Sequence, residues 1–419
     1  MNNSMPLGLY ISVPFCRTKC SYCNFASDVF SKSAYENYVA RLIEDIAASR
    51  QLAAELGCVF EETADSIYLG GGTPSILEAA QLLRLFAALR NHFAITPDAE
   101  ITVECAPGTL TPVLIEMLLQ CGVNRVSLGV QSFVDQEAQS VGRLHKRSIV
   151  LEEIGRLRES GLANINIDLI AGLPHQTAES WAYSVSETIA TGVPHASVYL
   201  LEVDEDSRLG RELIAGGARY HAHFVPNDDA TADFYQQACE MLAAAGIAQY
   251  EISNFARAVA PSCGSELRSN ESRHNLKYWT RQPYVGFGVD GHSMLKRIPF
   301  VEGRAPSSVR FATPDSLEAY MNRVPRTVTP VNAQAAIEEG FFLGLRLNRG
   351  IDIEGLQLEP DPETLAVCES AIQQSLQDGL LERHGATLRL TARGRLLSNE
   401  VFARFLAEEK VGTGHVNPR

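Results

Sequence analysis

Long apolar runs and an excess of positive charge are both missing from this sequence. No segment approaches the roughly 20 consecutive apolar residues that a membrane-spanning helix needs, and the N-terminus has neither the basic start nor the apolar run of a signal peptide. The 36 Lys and Arg residues are outnumbered by 50 Asp and Glu, for a net charge of -14, which argues against general binding to nucleic acid phosphates. We therefore expect a cytoplasmic protein that is not embedded in a membrane and does not bind nucleic acid.

A disulfide framework is missing as well. The chain of 419 residues has nine cysteines, an odd number, and its 45% hydrophobic content can fill a main domain and a smaller one. Six cysteines are scattered without a regular spacing, as in a reducing compartment: Cys58, Cys105, Cys121, Cys239, Cys263 and Cys368. The other three, Cys16, Cys20 and Cys23, follow an apolar segment with the spacing C-x3-C-x2-C.

This spacing allows a short loop to hold three of the four irons of a [4Fe-4S] cluster by thiolate. The fourth iron is left without a protein ligand and can bind a small molecule through its amino and carboxylate groups, as S-adenosylmethionine is bound. Zinc would need a fourth Cys or His, and no paired C-x2-C or H-x3-H element accompanies the three cysteines. Three unligated thiols are the other alternative, and the spacing favours the cluster over zinc.

Apolar, β-branched segments alternate with helical periodicity in the first half of the chain. We expect strands at 7–13, 66–70, 100–105, 125–130, 164–170 and 196–202. We expect amphipathic helices at 34–56, 76–92, 111–121, 148–160 and 178–191, and a further helix at 230–245. Such strand–helix units predict a parallel sheet covered by helices, and the strand count alone fits both an open sheet and a barrel.

The polar motifs favour the barrel. Residues 16–23 and 71–73, together with Glu104, Gln131 and Asp168, lie at or just beyond the C-terminal ends of predicted strands. One ligand can contact the ends of five strands only where those ends converge, as they do at the mouth of a barrel. The predicted fold is therefore α/β, with an incomplete (β/α)6 TIM-like barrel.

The last third of the chain has a different pattern. From about residue 330 the order helix, helix, hairpin, helix predicts a mainly helical, winged-helix-like domain, with the last helix over RGRLLSNEVFARFL. Wings often bind DNA, but this acidic chain shows no basic stripe, so a structural lid or a partner surface is favoured. We expect the barrel over residues 1–245, an extension over 246–325 and the C-terminal domain over 326–419.

Together these motifs resemble those of the radical SAM superfamily. The cysteine triad after the first strand and GGGTP after the second carry the likeness, and the chain is similar more narrowly to the branch that holds the oxygen-independent coproporphyrinogen III oxidases and the HemW haem chaperones. The likeness covers nearly the whole chain and includes ITVECAPGT, NRVSLGVQSF, NIDLIAGLP, YEISNFA and HNLKYW.

The resemblance implies a set of residues around S-adenosylmethionine at the open iron: Tyr10, Gly71, Gly72, Thr73, Glu104, Gln131, Arg143 and Asp168. Their chemistry agrees with that role. Asp168 can accept hydrogen bonds from ribose hydroxyls, Arg143 can pair with a carboxylate, and Gln131 offers a donor and an acceptor. Taken singly, Glu104 and Asp168 could equally be ordinary polar ends of strands.

Two positions depart from the pattern of this branch. The oxidases carry a further Cys two positions after the triad, where this chain has Phe25. The substitution favours the chaperones, and packing of Phe25 under the loop is the alternative interpretation. Ala106 stands where the family has Asn, which removes an amide close to the cofactor.

The run HNLKYW, residues 274–279, is associated in the family with haem binding. Imidazole is a good axial ligand of haem iron, so the resemblance implies that His274 binds haem, although a lone His beside aromatic residues is more often a core or surface residue. Cys263 and His292 are weaker alternative ligands. A basic island around the run suits the two haem propionates, since four cations outnumber two carboxylates: Arg268, Arg273, Lys277 and Arg281 against Glu266 and Glu271.

The function implied by the resemblance is that of a haem chaperone. It would bind a [4Fe-4S] cluster, S-adenosylmethionine and haem, and pass haem to an acceptor apoprotein such as a respiratory haemoprotein. The alternative is a radical enzyme, either a coproporphyrinogen III oxidase that forms protoporphyrinogen IX or a related radical methyltransferase, with a flavodoxin- or ferredoxin-like electron donor. A structural zinc-binding interaction protein is a third, disfavoured class.

Overall fold

The computed structural model describes residues 5–258, 270–298, 308–355 and 361–406. These described residues form two compact units. The first comprises those of Met1–Tyr278, Gln282–Pro299 and Ser308–Pro330, and the second comprises those of Trp279–Arg281 and Val331–Arg419. None of the helices that the structure describes has the length and apolar character needed to cross a bilayer.

The first unit is an incomplete barrel of six parallel strands in chain order: β1 (Leu7–Val13), β2 (Thr63–Gly71), β3 (Ala94–Cys105), β4 (Arg125–Gln131), β5 (Ile165–Ala171) and β6 (His195–Leu200). The helices of this unit are α1 (Lys32–Glu55), α2 (Ala79–His92), α3 (Pro112–Gln120), α4 (Asp135–Ser140), α5 (Arg147–Glu159), α6 (Ala178–Thr191), α7 (Arg208–Ala215) and α8 (Asp228–Ala244). The predicted α/β fold with a partial barrel is confirmed.

Side-chain alternation explains why these strands form a two-sided layer. In β1, Leu7, Leu9, Ile11 and Val13 are fully buried on one face, and the intervening positions carry Gly8, Tyr10 and Ser12 on the other. Apolar residues thus pack on one face of the sheet, whereas small and polar residues line the inner face. This inner face is what makes a polar site possible inside the barrel.

Further strands extend the sheet at both edges, and the sequence did not predict them. At one edge β9 (Tyr284–Phe287) runs parallel to β1 and is followed by β10 (His292–Lys296), β11 (Ser308–Ala312) and β12 (Thr327–Val331). At the other edge β8 (Asn254–Arg257) pairs antiparallel with β6 and with β7 (Ile247–Gln249). These strands have three to five residues each, too few for a visible alternation. Residues 246–325 therefore contribute strands to the barrel sheet.

A short helix, α9 (Arg273–Trp279), closes the barrel at the level of the first residues of its strands. The ammonium of Lys277 donates to the carbonyl of Pro6 at 2.8 Å and lies 2.7 Å from the Asp65 carboxylate. The amide of His274 donates to the Glu100 carboxylate at 3.3 Å. The HNLKYW run therefore contacts the floor of the barrel, at the opposite end of the strands from the cysteine loop.

The second unit contains α11 (Ala333–Gly344), α12 (Pro362–Gln377), α13 (Ala392–Leu396) and α14 (Ser398–Ala403), and a small sheet in the order β13 (Ile351–Asp352), β15 (Thr387–Leu390), β14 (Leu381–His384). The predicted hairpin is present, and β13 adds a third strand to it. The single last helix that we predicted is wrong, because the chain leaves the helical conformation at Leu397 (φ -104°, ψ 28°) and separates α13 from α14. In the first unit, α10 (Leu317–Met321) precedes β12.

We predict that Gly8→Ala destabilises the protein by about 1–3 kcal/mol. A Cβ at this position would lie 2.8 Å from Cδ of Lys277 and 3.2 Å from Cε1 of His274, and Lys277 cannot move away because its ammonium is held at the floor. Gly155→Ala in α5 is the control: nothing lies within 4 Å of its Cβ, so it should stabilise by about 0.5–1 kcal/mol. Denaturant unfolding measures both, and equal midpoints for Gly8→Ala and wild type would contradict the close packing of α9.

Candidate functional site

The cysteine loop follows β1 and is held in place by hydrogen bonds within the loop and to the segment that precedes Arg143. The Cys16 amide donates to the Asp28 carbonyl at 3.0 Å, which closes the loop on itself. The Ser21 amide donates to the Val141 carbonyl at 3.1 Å, and the Thr18 hydroxyl donates to the Gly142 carbonyl at 3.1 Å. The loop is therefore fixed against the segment that precedes Arg143, and all three of its cysteines remain partly exposed.

The surroundings of the three thiols suit a cluster better than a single metal ion. Among the described residues, no three His, Cys, Asp or Glu side chains converge on one metal-ion position, as a zinc site would require. A [4Fe-4S] cluster differs because each thiolate binds a different iron. The Thr73 hydroxyl lies 3.8 Å from Sγ of Cys16, and the Ser27 hydroxyl lies 4.0 Å from Sγ of Cys23. Two of the three cysteine sulfurs therefore have a hydroxyl group nearby.

The glycine-rich turn after β2 packs directly against the start of the cysteine loop. The Gly72 amide donates to the Val13 carbonyl at 2.9 Å, and the Thr73 amide donates to the Phe15 carbonyl at 2.8 Å. Gly71 has φ +97°, a conformation that favours glycine, and a Cβ on Gly72 would lie 2.7 Å from the Val13 carbonyl oxygen. The turn and the triad, which the sequence placed on separate strands, are thus parts of one site.

Two carboxylates occupy the inner face near the mouth. Glu104 accepts a hydrogen bond from the Tyr68 hydroxyl at 2.8 Å. Burial, and then the nearby charge of Asp168, raise the pKa of Glu104 to about 7. Burial also raises the pKa of Asp168, which accepts hydrogen bonds from Ser127 at 2.9 Å and Asn166 at 2.7 Å. A cation bound beside these groups would favour their ionised forms.

Gln131 and Arg143 converge over Gly129 on β4, the position that pairs with Asp168 on β5. A Cβ on Gly129 would lie 3.3 Å from both Nη2 of Arg143 and Nε2 of Gln131, and the sheet register places Gly129 opposite Asp168. The buried Oε1 of Gln131 and Nε of Arg143 have no hydrogen-bond partner among the residues that the structure describes. Unsatisfied buried polar atoms are costly, so a polar ligand fits here.

A buried chain of polar groups, which we did not predict, supports Asp168 from below. Asn166 donates to Ser127 and Asp168 at 2.7 Å each, and its carbonyl oxygen lies 2.6 Å from Nδ1 of His195. The other nitrogen of His195 lies 3.0 Å from the Tyr250 hydroxyl. The signal for this chain was present as alternating polar residues in NINID and HASVY, which place Asn166, Asp168, His195 and Ser197 on one strand face.

His274 does not reach the mouth. It is 1% exposed, with Nδ1 3.1 Å from the Ser66 hydroxyl and Nε2 2.8 Å from the Tyr278 hydroxyl. Burial lowers the pKa of its imidazole to about 3, and its ring stacks on Tyr68 with centroids 5.5 Å apart. Both ring nitrogens have hydrogen-bond partners within the barrel floor. Of the two roles that the sequence allowed, haem ligand or core residue, the observed position of His274 is that of a core residue.

The expected basic island is neutralised where the structure describes it. Acidic partners lie beside its three described cations, in the pairs Arg273–Asp98 at 3.4 Å, Lys277–Asp65 at 2.7 Å and Arg281–Glu339 at 3.0 Å. Arg268, Glu266 and Cys263 lie outside the described residues. His292 is exposed and contacts Asp290 at 3.1 Å. The prediction that these three cations form a basic surplus for two haem propionates is therefore wrong, because each has an acidic partner.

Comparison with known proteins agrees with this architecture. The model of the Radical SAM superfamily matches residues 10–186, and that of the HemN C-terminal domain matches residues 331–397. The heme chaperone HemW of Lactococcus lactis is 30% identical over 96% of this chain and 98% of its own length. That of Bacillus subtilis is 31% identical over 95% and 99%. The chain belongs to the HemW family of the radical SAM superfamily.

A solved structure of a HemN protein gives the corresponding comparison of folds. The structure of coproporphyrinogen III oxidase (HemN) from Escherichia coli, a radical SAM enzyme, matches with a TM-score of 0.77 at 23% identity, covering 96% of this chain and 90% of that one. This chain and the HemN protein therefore share one fold.

The structure shows the surroundings of Phe25 and Ala106, the two positions at which the sequence departs from the family pattern. Phe25 is 64% exposed, so the interpretation that it packs under the cysteine loop is wrong. At Ala106 the turn after β3 is closed through the backbone, because its carbonyl accepts the Thr109 amide at 3.1 Å and the Thr109 hydroxyl at 2.6 Å. The turn therefore closes without a side-chain amide at position 106.

We predict that Glu104→Gln stabilises the apoprotein at pH 8 but not at pH 4. The folded-state pKa of about 7 lies above the ordinary value of about 4.3, so the folded state binds a proton more tightly than the unfolded state. The cost of ionising Glu104 is absent below pH 4, grows between pH 4 and 7, and is fully present above pH 7. Thermal unfolding across this range measures it. The exposed Glu116→Gln is the control, and a Glu104→Gln effect independent of pH would refute the assignment.

Proposed function

We propose that this chain is a haem chaperone that binds a [4Fe-4S] cluster through Cys16, Cys20 and Cys23, holds S-adenosylmethionine at the open iron, and passes haem to an acceptor haemoprotein. The observation that carries the proposal is the contact between the cysteine loop and the glycine-rich turn, made by the Gly72 and Thr73 amides. This contact brings a thiolate triad and the polar ends of several strands to one mouth. The names of the full-length relatives support the chaperone role.

The chain's own groups divide the work of binding the cofactor. The cluster, when bound, supplies a redox centre with one iron open to the amino and carboxylate groups of S-adenosylmethionine. Ionised Glu104 would accept a hydrogen bond from the ligand ammonium, and Arg143 would pair with the ligand carboxylate. Asp168 would accept hydrogen bonds from ribose hydroxyls, and Oε1 of Gln131, which has no partner among the described residues, would accept one from the ligand. Gly71, Gly72 and Thr73 would let the ligand approach the backbone, and Tyr10 on the inner face of β1 would line the same site.

We do not extend the haem site to His274. Axial ligation there requires the release of its hydrogen bonds to Ser66 and Tyr278 and the opening of the barrel floor. The acceptor would be a haemoprotein in its apo form.

We predict that serine substitution of any one cysteine of the triad removes most of the cluster. Wild type reconstituted without oxygen should hold about four irons and four sulfides per chain, and Cys16→Ser, Cys20→Ser or Cys23→Ser should hold a minor fraction and lose binding of S-adenosylmethionine. Cys239→Ser, which changes a cysteine of α8, is the matched control. Iron and sulfide analysis measures the loss. Zinc without iron in the wild type, or an equal loss in Cys239→Ser, would overturn the assignment.

We predict saturable haem binding without porphyrinogen oxidation. Haem titration followed by absorbance should reach saturation, whereas incubation of the reduced, reconstituted protein with S-adenosylmethionine and coproporphyrinogen III should form no protoporphyrinogen. Formation of protoporphyrinogen coupled to 5′-deoxyadenosine would replace the chaperone with the oxidase, and absence of saturable haem binding would remove the haem part of the proposal.

A further inference from the structure

We propose that haem iron is bound by Nε2 of His221, with His175 as the residue that orients this ligand. This site lies on the segment between α7 and α8 and on the loop that follows β5. The inference rests on the proposed function, because it names the ligand group through which the chaperone holds its haem.

The imidazoles of His175 and His221 are in contact although they are 46 positions apart in the chain. Nε2 of His175 lies 3.2 Å from Nδ1 of His221, and the rings meet edge to face with centroids 5.0 Å apart. The backbone holds the same pairing, since the His175 amide donates to the Phe224 carbonyl at 3.0 Å. The Phe224 ring covers His175 with centroids 4.0 Å apart. The pair is therefore positioned by a specific contact rather than by chance proximity of surface side chains.

The tautomers of the pair suit a metal ligand. A histidine that binds metal through Nε2 carries its proton on Nδ1 and commonly donates it to a nearby acceptor, which fixes the ring orientation. His221 can donate in this way to Nε2 of His175 at the observed 3.2 Å. Nε2 of His221 has no hydrogen-bond partner among the residues that the structure describes. By contrast, both nitrogens of His274 and of His195 are already occupied.

The chemistry around the pair favours haem over a bare metal ion. No three metal-binding side chains converge within the described part of the chain, and zinc needs three or four protein ligands. Haem supplies four nitrogens of its own, so one imidazole is sufficient for the protein to hold its iron. A porphyrin also needs apolar surface and a place for its two propionates.

Both requirements are met next to His221. Exposed apolar surface lies beside the imidazole, because the Phe224 ring is 47% accessible and its centroid is 6.2 Å from that of His221. The carboxylate of Glu212 accepts hydrogen bonds from the amides of Tyr220 at 2.7 Å and Ala222 at 3.2 Å, which ties α7, with its exposed Leu213 and Ile214, to the segment that carries His221. The exposed guanidinium of Arg219 lies over the Tyr220 ring at 5.4 Å and offers a cation to a propionate.

Haem titration of the full chain tests the site with His221→Asn. Asn is chosen because His221 has φ +61°, a conformation that Asn tolerates better than Ala does. The control is His92→Asn, which removes an exposed histidine from the last turn of α2. Wild type and the control should bind with equal affinity and show an axial-imidazole spectrum. His221→Asn should bind at least about 10-fold more weakly and lose that spectrum, and added free imidazole should restore it.

His175→Asn tests the orienting role. It should keep the axial-imidazole spectrum but shift its electron paramagnetic resonance parameters, a change that loss of packing alone does not predict. Circular dichroism checks folding, and His221→Gln replaces His221→Asn if the latter does not fold. An unchanged affinity and spectrum in the His221 variant would overturn the site while the chaperone proposal stands. Failure of the wild type to bind haem would overturn both.

Discussion

The barrel mouth depends on two backbone hydrogen bonds, from the amides of Gly72 and Thr73 to the carbonyls of Val13 and Phe15. Cys16 is the next residue after Phe15, so these bonds determine where the cysteine loop begins relative to the second strand. They form because β1 and β2 pair in parallel up to Val13 and Gly71 and because Gly72 has no Cβ to keep the chains apart. The position of the triad is thus a consequence of sheet register.

The inner face of the barrel is polar throughout, and most of its buried groups are paired. Hydrogen bonds run from Asp168 through Asn166 and His195 to Tyr250. Buried polar groups lower stability unless they are satisfied, and such networks hold their members in one arrangement. The buried polar atoms without a partner among the described residues include Oε1 of Gln131 and Nε of Arg143, which lie near the mouth. A polar ligand at the mouth would supply partners for these two atoms.

Sequence patterns predicted well what depends on near neighbours. Strand β1 was placed at its observed bounds, because apolar alternation and the adjacent cysteines mark both of its ends. The spacing of the triad indicated a cluster loop because its three cysteines lie within one short segment. The same reasoning missed β9 and β10, since four or five residues are too few to show a period, and it missed the break at Leu397 between two segments that each have helical character.

The HNLKYW run shows most clearly where local patterns are insufficient. Its residues identified the family correctly, yet His274 contacts Ser66, 208 positions earlier in the chain, and lies at the floor of the barrel. Similarly, His175 and His221 are 46 positions apart, and no local sequence pattern indicates that they are in contact. The sequence by itself determined the approximate positions of the six barrel strands, the thiol spacing and the polar inner positions, because these follow from residues close together in the chain. Only the tertiary structure decided which histidine is enclosed and which is accessible, because chain topology and packing determine contacts between distant residues.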